Sequence, residues 1–230
     1  MFLGHIGVAL AAKRVAPRTS LGTLLAAAVL LDLVWPIFVL IGIEEVRIDP
    51  GNTAFTPLEF VRYPLTHGAV AVALWSLAFG AVYLGRTGYW RGAATVGALV
   101  ASHWVLDLVT HRPDLPLVWD DPKVGLGLWN SVPATLAVEL AIFFAGLALY
   151  AHATRPRDRA GRIAPWPFVA FLLLIYAANV LGPPPPSWRL VAVAGLAQWL
   201  FLPWGSFIDR HRSAAAESGT DPPGGAPVTA

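Results

Sequence analysis

The chain contains no cysteine in 230 residues. Disulfides, thiolate metal sites and cysteine nucleophiles are therefore excluded, and any metal must be held by imidazole and carboxylate. Charge is scarce too: 13% of residues are Asp, Glu, Lys or Arg, against roughly a quarter in a soluble domain. The formal net charge is only +2, and the basic residues sit in short loops rather than along one face. Nucleic acid is not an expected partner. No GxSxG, HExxH or Walker-type motif occurs, so the common serine hydrolase, zincin and NTPase patterns are missing as well.

Apolar side chains are abundant, at 56% of the sequence. They fall into runs of about 15 to 25 residues, the length that crosses a hydrocarbon layer at ~1.5 Å per residue. The segments lie at 2–13, 20–43, 64–85, 90–110, 129–152, 166–181 and 188–208. They predict an all-α fold: a polytopic transmembrane helical bundle of about six full spans plus a short N-terminal helix buried inside it. One domain is expected over 1–212, followed by a disordered Pro/Gly-rich tail at 213–230. The opening MFLGHIGVALAAK carries its charge after the apolar stretch and His5 within it. It does not read as a cleaved signal peptide and is expected in the mature protein.

Every second loop is basic. Lys13, Arg14 and Arg18, then Arg86 and Arg91, then Arg155, Arg157, Arg159 and Arg162, then Arg210 and Arg212 follow alternate segments. Cytoplasmic loops are enriched in Lys and Arg, which predicts an inner (plasma) membrane protein with its C-terminus cytoplasmic and the 44–62 and 111–128 loops external. The lipid bilayer is then its first partner. The ten Trp, mostly near segment ends, suit interfacial anchoring.

The stretch SHWVLDLVTHRPD at 102–114 is the most informative for chemistry. On a helix, His103, Asp107 and His111 at i, i+4 and i+8 share one face, where imidazole and carboxylate can converge on a divalent cation. A His–Asp hydrogen bond stapling two helices uses the same spacing. Asp32 sits near the middle of its segment with Pro36 four residues on, so a disturbed backbone is expected at Asp32 itself. With His5 and His67, these residues fall toward the external half and predict a shared polar site, since ionisable groups at membrane depth meet each other or line a cavity. Glu139 is a further carboxylate at that depth, either catalytic or a protonated hydrogen-bonding group. His152 and His211 lie at the basic ends, away from the cluster.

FLGHIGVAL with His5, LLDLVWP with Asp32, YPLTHG with His67 and SHWVLDLVTHRPD follow one another in order. In this they resemble the bacterial inner-membrane family of membrane-bound metal-dependent hydrolases. The likeness covers most of residues 1–115; beyond it, only hydrophobic helices with a Glu in the fifth correspond. Two departures stand out. The family often has a doubled-acid PDxD where this chain has only Asp32, and commonly a Ser where Gly68 follows His67. The resemblance implies His5, Asp32, His67, His103 and Asp107 as ligands of a divalent metal ion, zinc first, with manganese or iron admitted by the carboxylates. His111, Asp114 and Glu139 are then the catalytic candidates around the metal, orienting ligands or relaying protons. The expected activity is hydrolysis of an ester or phosphoester in a lipid or small-molecule substrate. The rival is a transporter or channel component in which the same residues bind a cation or relay protons.

Overall fold

The computed structural model describes residues 1–215. Its first helix, α1 (Leu3–Val15), is ~20 Å long at helical rise and is buried on nearly all sides, including Leu3, His5, Ile6 and Leu10. It is the short inner helix that the sequence predicts. It packs on α2, α6 and α7. Gly7 and Gly146 allow the closest of these approaches: a Cβ on Gly7 would lie 2.6 Å from the Ile142 carbonyl oxygen, and one on Gly146 would collide with the Gly7 carbonyl.

The next segment divides into α2 (Leu21–Ala28), capped by Ser20 at its N-terminus, and α3 (Leu30–Leu40). The two are bent by 55°. The break falls at Val29, whose φ and ψ of −111° and 17° leave the helical region. This corrects the expected disturbance at Asp32, which lies in the first turn of α3 with Pro36 inside that helix. A proline's missing N–H acts on the carbonyl four residues back. The Pro36 effect therefore touches Asp32 without setting the bend.

A hairpin of β1 (Glu45–Ile48) and β2 (Leu58–Arg62) follows, then a single turn α4 (Pro64–His67), α5 (Ala69–Thr87) and α6 (Trp90–Thr110). Gly88, at φ 64°, ends α5 in the left-handed conformation that glycine tolerates. The strands β3 (Leu115–Pro116) and β4 (Lys123–Val124) pair in the next loop. The chain continues through α7 (Val132–Ala153), β5 (Thr154–Pro156), α8 (Arg159–Ile163), α9 (Pro165–Leu181), α10 (Trp188–Leu196), α11 (Phe201–Arg210) and β6 (Arg212–Ala214). β6 pairs with β5, so Ser213 and Ala214 are ordered strand where a tail was expected. The rest of that expected tail, 216–230, lies outside the described residues.

The fold is thus mostly helical with three small antiparallel pairs. Among the described residues five helices are long and apolar enough to cross a membrane, six if the bent α2–α3 pair is one span. Their outward faces are apolar: Leu74 and Leu77 of α5 are 63% and 71% exposed. A surface of that kind suits lipid rather than water. At the end away from α1's first turn, buried Lys13 pairs with Asp209 at 2.7 Å and donates to the Thr19 carbonyl at 2.9 Å, tying α1 to α11.

Candidate metal centre

His5 and His103 are fully buried, and Asp107 and His67 nearly so. Each reaches the centre by a different route. His103 and Asp107 project from one face of α6, as their i, i+4 spacing dictates. Asp32 arrives from the first turn of α3 beyond the bend, His67 from the single turn α4, and His5 from α1. They make two overlapping groupings, His5–His103–Asp107 and Asp32–His67–His103, each with ligand atoms within 4.8 Å of one another. This is a buried His/Asp cluster able to coordinate a metal ion. The rings of His5 and His103 stack at 3.7 Å with 6° between planes.

The hydrogen bonds fix which nitrogens are free. His103 Nδ1 lies 2.8 Å from the Ala28 carbonyl oxygen at the α2–α3 break, and a carbonyl only accepts, so Nδ1 carries the proton. In the neutral ring, Nε2 then presents a bare lone pair. It is buried, has no hydrogen-bond partner among the described residues, and faces Asp107 Oδ2 at 3.2 Å. Two lone pairs at that distance repel unless a proton or a metal cation lies between them.

His67 follows the same logic. Its Nδ1 lies 2.7 Å from Thr66 Oγ1, and Thr66 spends its single hydroxyl proton on Glu44 Oε2, also at 2.7 Å. His67 Nδ1 must therefore donate, leaving Nε2 bare toward Asp32 Oδ1 at 3.6 Å and Asp107 Oδ2 at 3.7 Å. Those separations are too long for hydrogen bonds. With His103 Nε2 to Asp32 Oδ1 at 3.7 Å, four ligand-to-ligand edges lie between 3.2 and 3.7 Å. Ligand atoms ~2.0–2.2 Å from one tetrahedral ion stand about 3.3–3.6 Å apart. The Asp32–His67–His103 grouping suits such an ion, with Asp107 beside it in the other grouping.

On the other side of Asp107, Oδ1 meets His5 Nε2 at 3.1 Å and accepts from the Met1 amino group at 2.6 Å. Glu139, from α7, accepts from the Phe2, Leu3 and Gly4 amides at 2.9, 2.7 and 3.4 Å through Oε2. It thereby supplies the acceptor that the first amides of a helix lack. Its Oε1 is buried without a hydrogen-bond partner among the described residues.

His111 does not continue the α6 face. The helix ends at Thr110, and His111 turns away with φ −63° and ψ 145°, so it belongs to neither ligand grouping. The helix stops short of Pro113, which disfavours helical backbone at Arg112 just before it. His111 Nδ1 pairs with Asp114 Oδ1 at 2.9 Å, and the Tyr63 hydroxyl lies 3.2 Å from the same nitrogen. Trp129, with ring centroids 4.3 Å apart, packs against the imidazole.

Three partners escape a reading of the sequence: Glu44, Thr66 and Tyr63. Glu44 is 2% exposed and accepts from the Leu65 and Thr66 amides, both at 2.9 Å, besides the Thr66 hydroxyl. Burial pushes its carboxyl pKa up, while the Thr66 hydroxyl and nearby His67 pull it down. Thr66 adjoins His67 in YPLTHG and could have been suspected. Nothing local distinguishes Glu44 from its exposed neighbour Glu45.

The cluster opens on an 890 Å³ cavity lined by Asp32, His67, Asp107, His111 and Glu139 at one side and by α9 and α10 at another. No protein-family model, characterised protein or solved structure matches the chain.

Proposed function

We propose that the protein is a membrane-embedded metal-dependent hydrolase of an ester or phosphoester, akin to the inner-membrane hydrolases that its first 115 residues resemble. One observation carries the reading: the buried, unpartnered Nε2 of His103 is shared by two ligand groupings, one with His67 and Asp32 and one with His5 and Asp107, beside a large cavity. A divalent ion held there, zinc by the donor set with manganese or iron as substitutes, would supply Lewis acidity and would lower the pKa of water from 15.7 to about 7. Asp32, His67 and His103 would hold the ion, with the Asp107 carboxylate beside it adding negative charge. His5 braces Asp107 through Oδ1 and His103 by stacking. With Nδ1–H given to Asp114, His111 keeps Nε2 as its basic atom at the cavity wall, suited to taking or returning a proton.

The proposed orientation puts the C-terminus in the cytoplasm and the site in the outer half of the inner membrane, where a lipid or small-molecule substrate can reach it. A transport role would need a polar path onward toward Lys13. Leu25, Ala28, Val96 and Leu99, all buried, occupy that side instead, which favours a one-sided cavity.

The test is metal content after purification in mild detergent. About one equivalent of a transition metal should co-purify, and chelation should lower the melting temperature because the ion binds only the folded state. Asp107→Asn keeps shape but loses an anionic oxygen, and His103→Gln loses the imidazole. Both should abolish metal binding and hydrolysis of model phosphoesters while membrane insertion persists. Full metal content in both variants refutes the site.

A further inference from the structure

We propose that the substrate is a membrane lipid: its scissile ester or phosphoester lies against Asp32, His67 and Asp107 while an acyl chain runs between α9 and α10. This rests on the hydrolase reading above. The cavity's size is the first reason. At 890 Å³ it is near the top of the ~300–1,000 Å³ range of small-molecule sites, far more than a short water-soluble ester needs.

Its walls are the second. Phe171, Ile175 and Ala178, at i, i+4 and i+7, form one face of α9, and Leu190, Val191 and Ala194 form one face of α10. Both faces line the cavity. From Phe171 to Gly182 the α9 wall is ~16 Å long at helical rise, comparable to a good part of an acyl chain. Both helices belong to segments long and apolar enough to cross a membrane, so their part of the cavity wall lies at the depth of lipid chains.

Energetics point the same way. Of the α9 and α10 residues at the cavity only Asn179 has a polar side chain, so a polar substrate there would leave most of its hydrogen-bonding groups unmatched, at a cost of roughly 1–3 kcal/mol each. An acyl chain needs no partners there, and moving it in from the bilayer exchanges one hydrocarbon surrounding for another. An empty apolar cavity would forfeit the dispersion contacts that a chain supplies. The polar floor then receives the only part of a lipid that requires polar contacts. Hydrolysis adds one water across the bond: its oxygen joins the carbonyl carbon or phosphorus, the bond from that atom to the alcohol oxygen breaks, and the alcohol oxygen takes a proton.

The experiment uses full-length protein in mild detergent, loaded with zinc, and dioleoylphosphatidylcholine in mixed micelles. Bis(p-nitrophenyl) phosphate and p-nitrophenyl acetate serve as chain-free probes. Mass spectrometry of the intact protein reads retained lipid, and product analysis reads which bond is cut. Wild type should retain phospholipid and release a lipid hydrolysis product. Ala194→Trp on α10 and Ala178→Trp on α9 should each lose the retained lipid and its turnover at unchanged metal content. Lipid retained by both variants as by wild type overturns the chain's position. Turnover of the chain-free probes alone, with no lipid retained, overturns the lipid proposal and leaves the hydrolase reading intact. Displaceable lipid with a bound metal but no turnover of any probe overturns the hydrolase reading and leaves a lipid-binding site.

Discussion

Replacing Thr66 by valine isolates the tether that aims His67. Valine keeps the branched shape and removes one hydroxyl, which contacts His67 Nδ1 and Glu44 Oε2, both at 2.7 Å. Glu44 retains its two backbone donors from Leu65 and Thr66, so α4 should stay anchored. What disappears is the acceptor that holds the Nδ1–H tautomer and keeps Nε2 pointed at Asp32 and Asp107. Loss of such an outer partner typically weakens metal binding about 10–100-fold, equivalent to ~1.4–2.7 kcal/mol. The metal-free protein should lose less, about 1 kcal/mol for the hydrogen bonds themselves. Zinc affinity is measurable in detergent by competition with a chromogenic chelator, and apo stability by thermal melting. Thr66→Ser, which restores the hydroxyl, should recover most of the affinity. Unchanged affinity in Thr66→Val, or equal losses in the apo and zinc-loaded proteins, would show that the Glu44–Thr66–His67 chain supports the fold and not the metal.

Two further predictions address packing and orientation. Gly146→Ala drives a methyl group into the Gly7 carbonyl and should cost about 1–3 kcal/mol as overpacking, seen as a lower melting temperature; an unaltered melt would refute the tight α1–α7 approach. Eleven of the sixteen Lys and Arg lie in the loops assigned to the cytoplasm, so a reporter that works only outside the cytoplasm should be silent when fused after Arg212 and active when fused in 111–128. The reverse pattern would invert the orientation.

What the sequence determined by itself was local. The apolar runs located the helices, α6 occupying Trp90–Thr110 as read from hydropathy. The four-residue spacing put His103 and Asp107 on one face, because helical periodicity is a property of the backbone alone. The short first segment announced an inner helix too brief to span. Periodicity gives a face and a depth but not which neighbour that face meets. Whether Asp32, His67 and His5 converge with α6 depends on the 55° bend at Val29 and on the glycine contact that draws α1 against α7. No residue near Val29 signals that bend; it leaves the Ala28 carbonyl where His103 Nδ1 can donate to it. His111 left the helical face because its own backbone is extended, two residues before Pro113, and Glu44 joined the site across 22 residues of sequence through Thr66. The cavity between α9 and α10 belongs to the tertiary structure as well, since two apolar faces that would pack together by composition instead stand apart around a shared space.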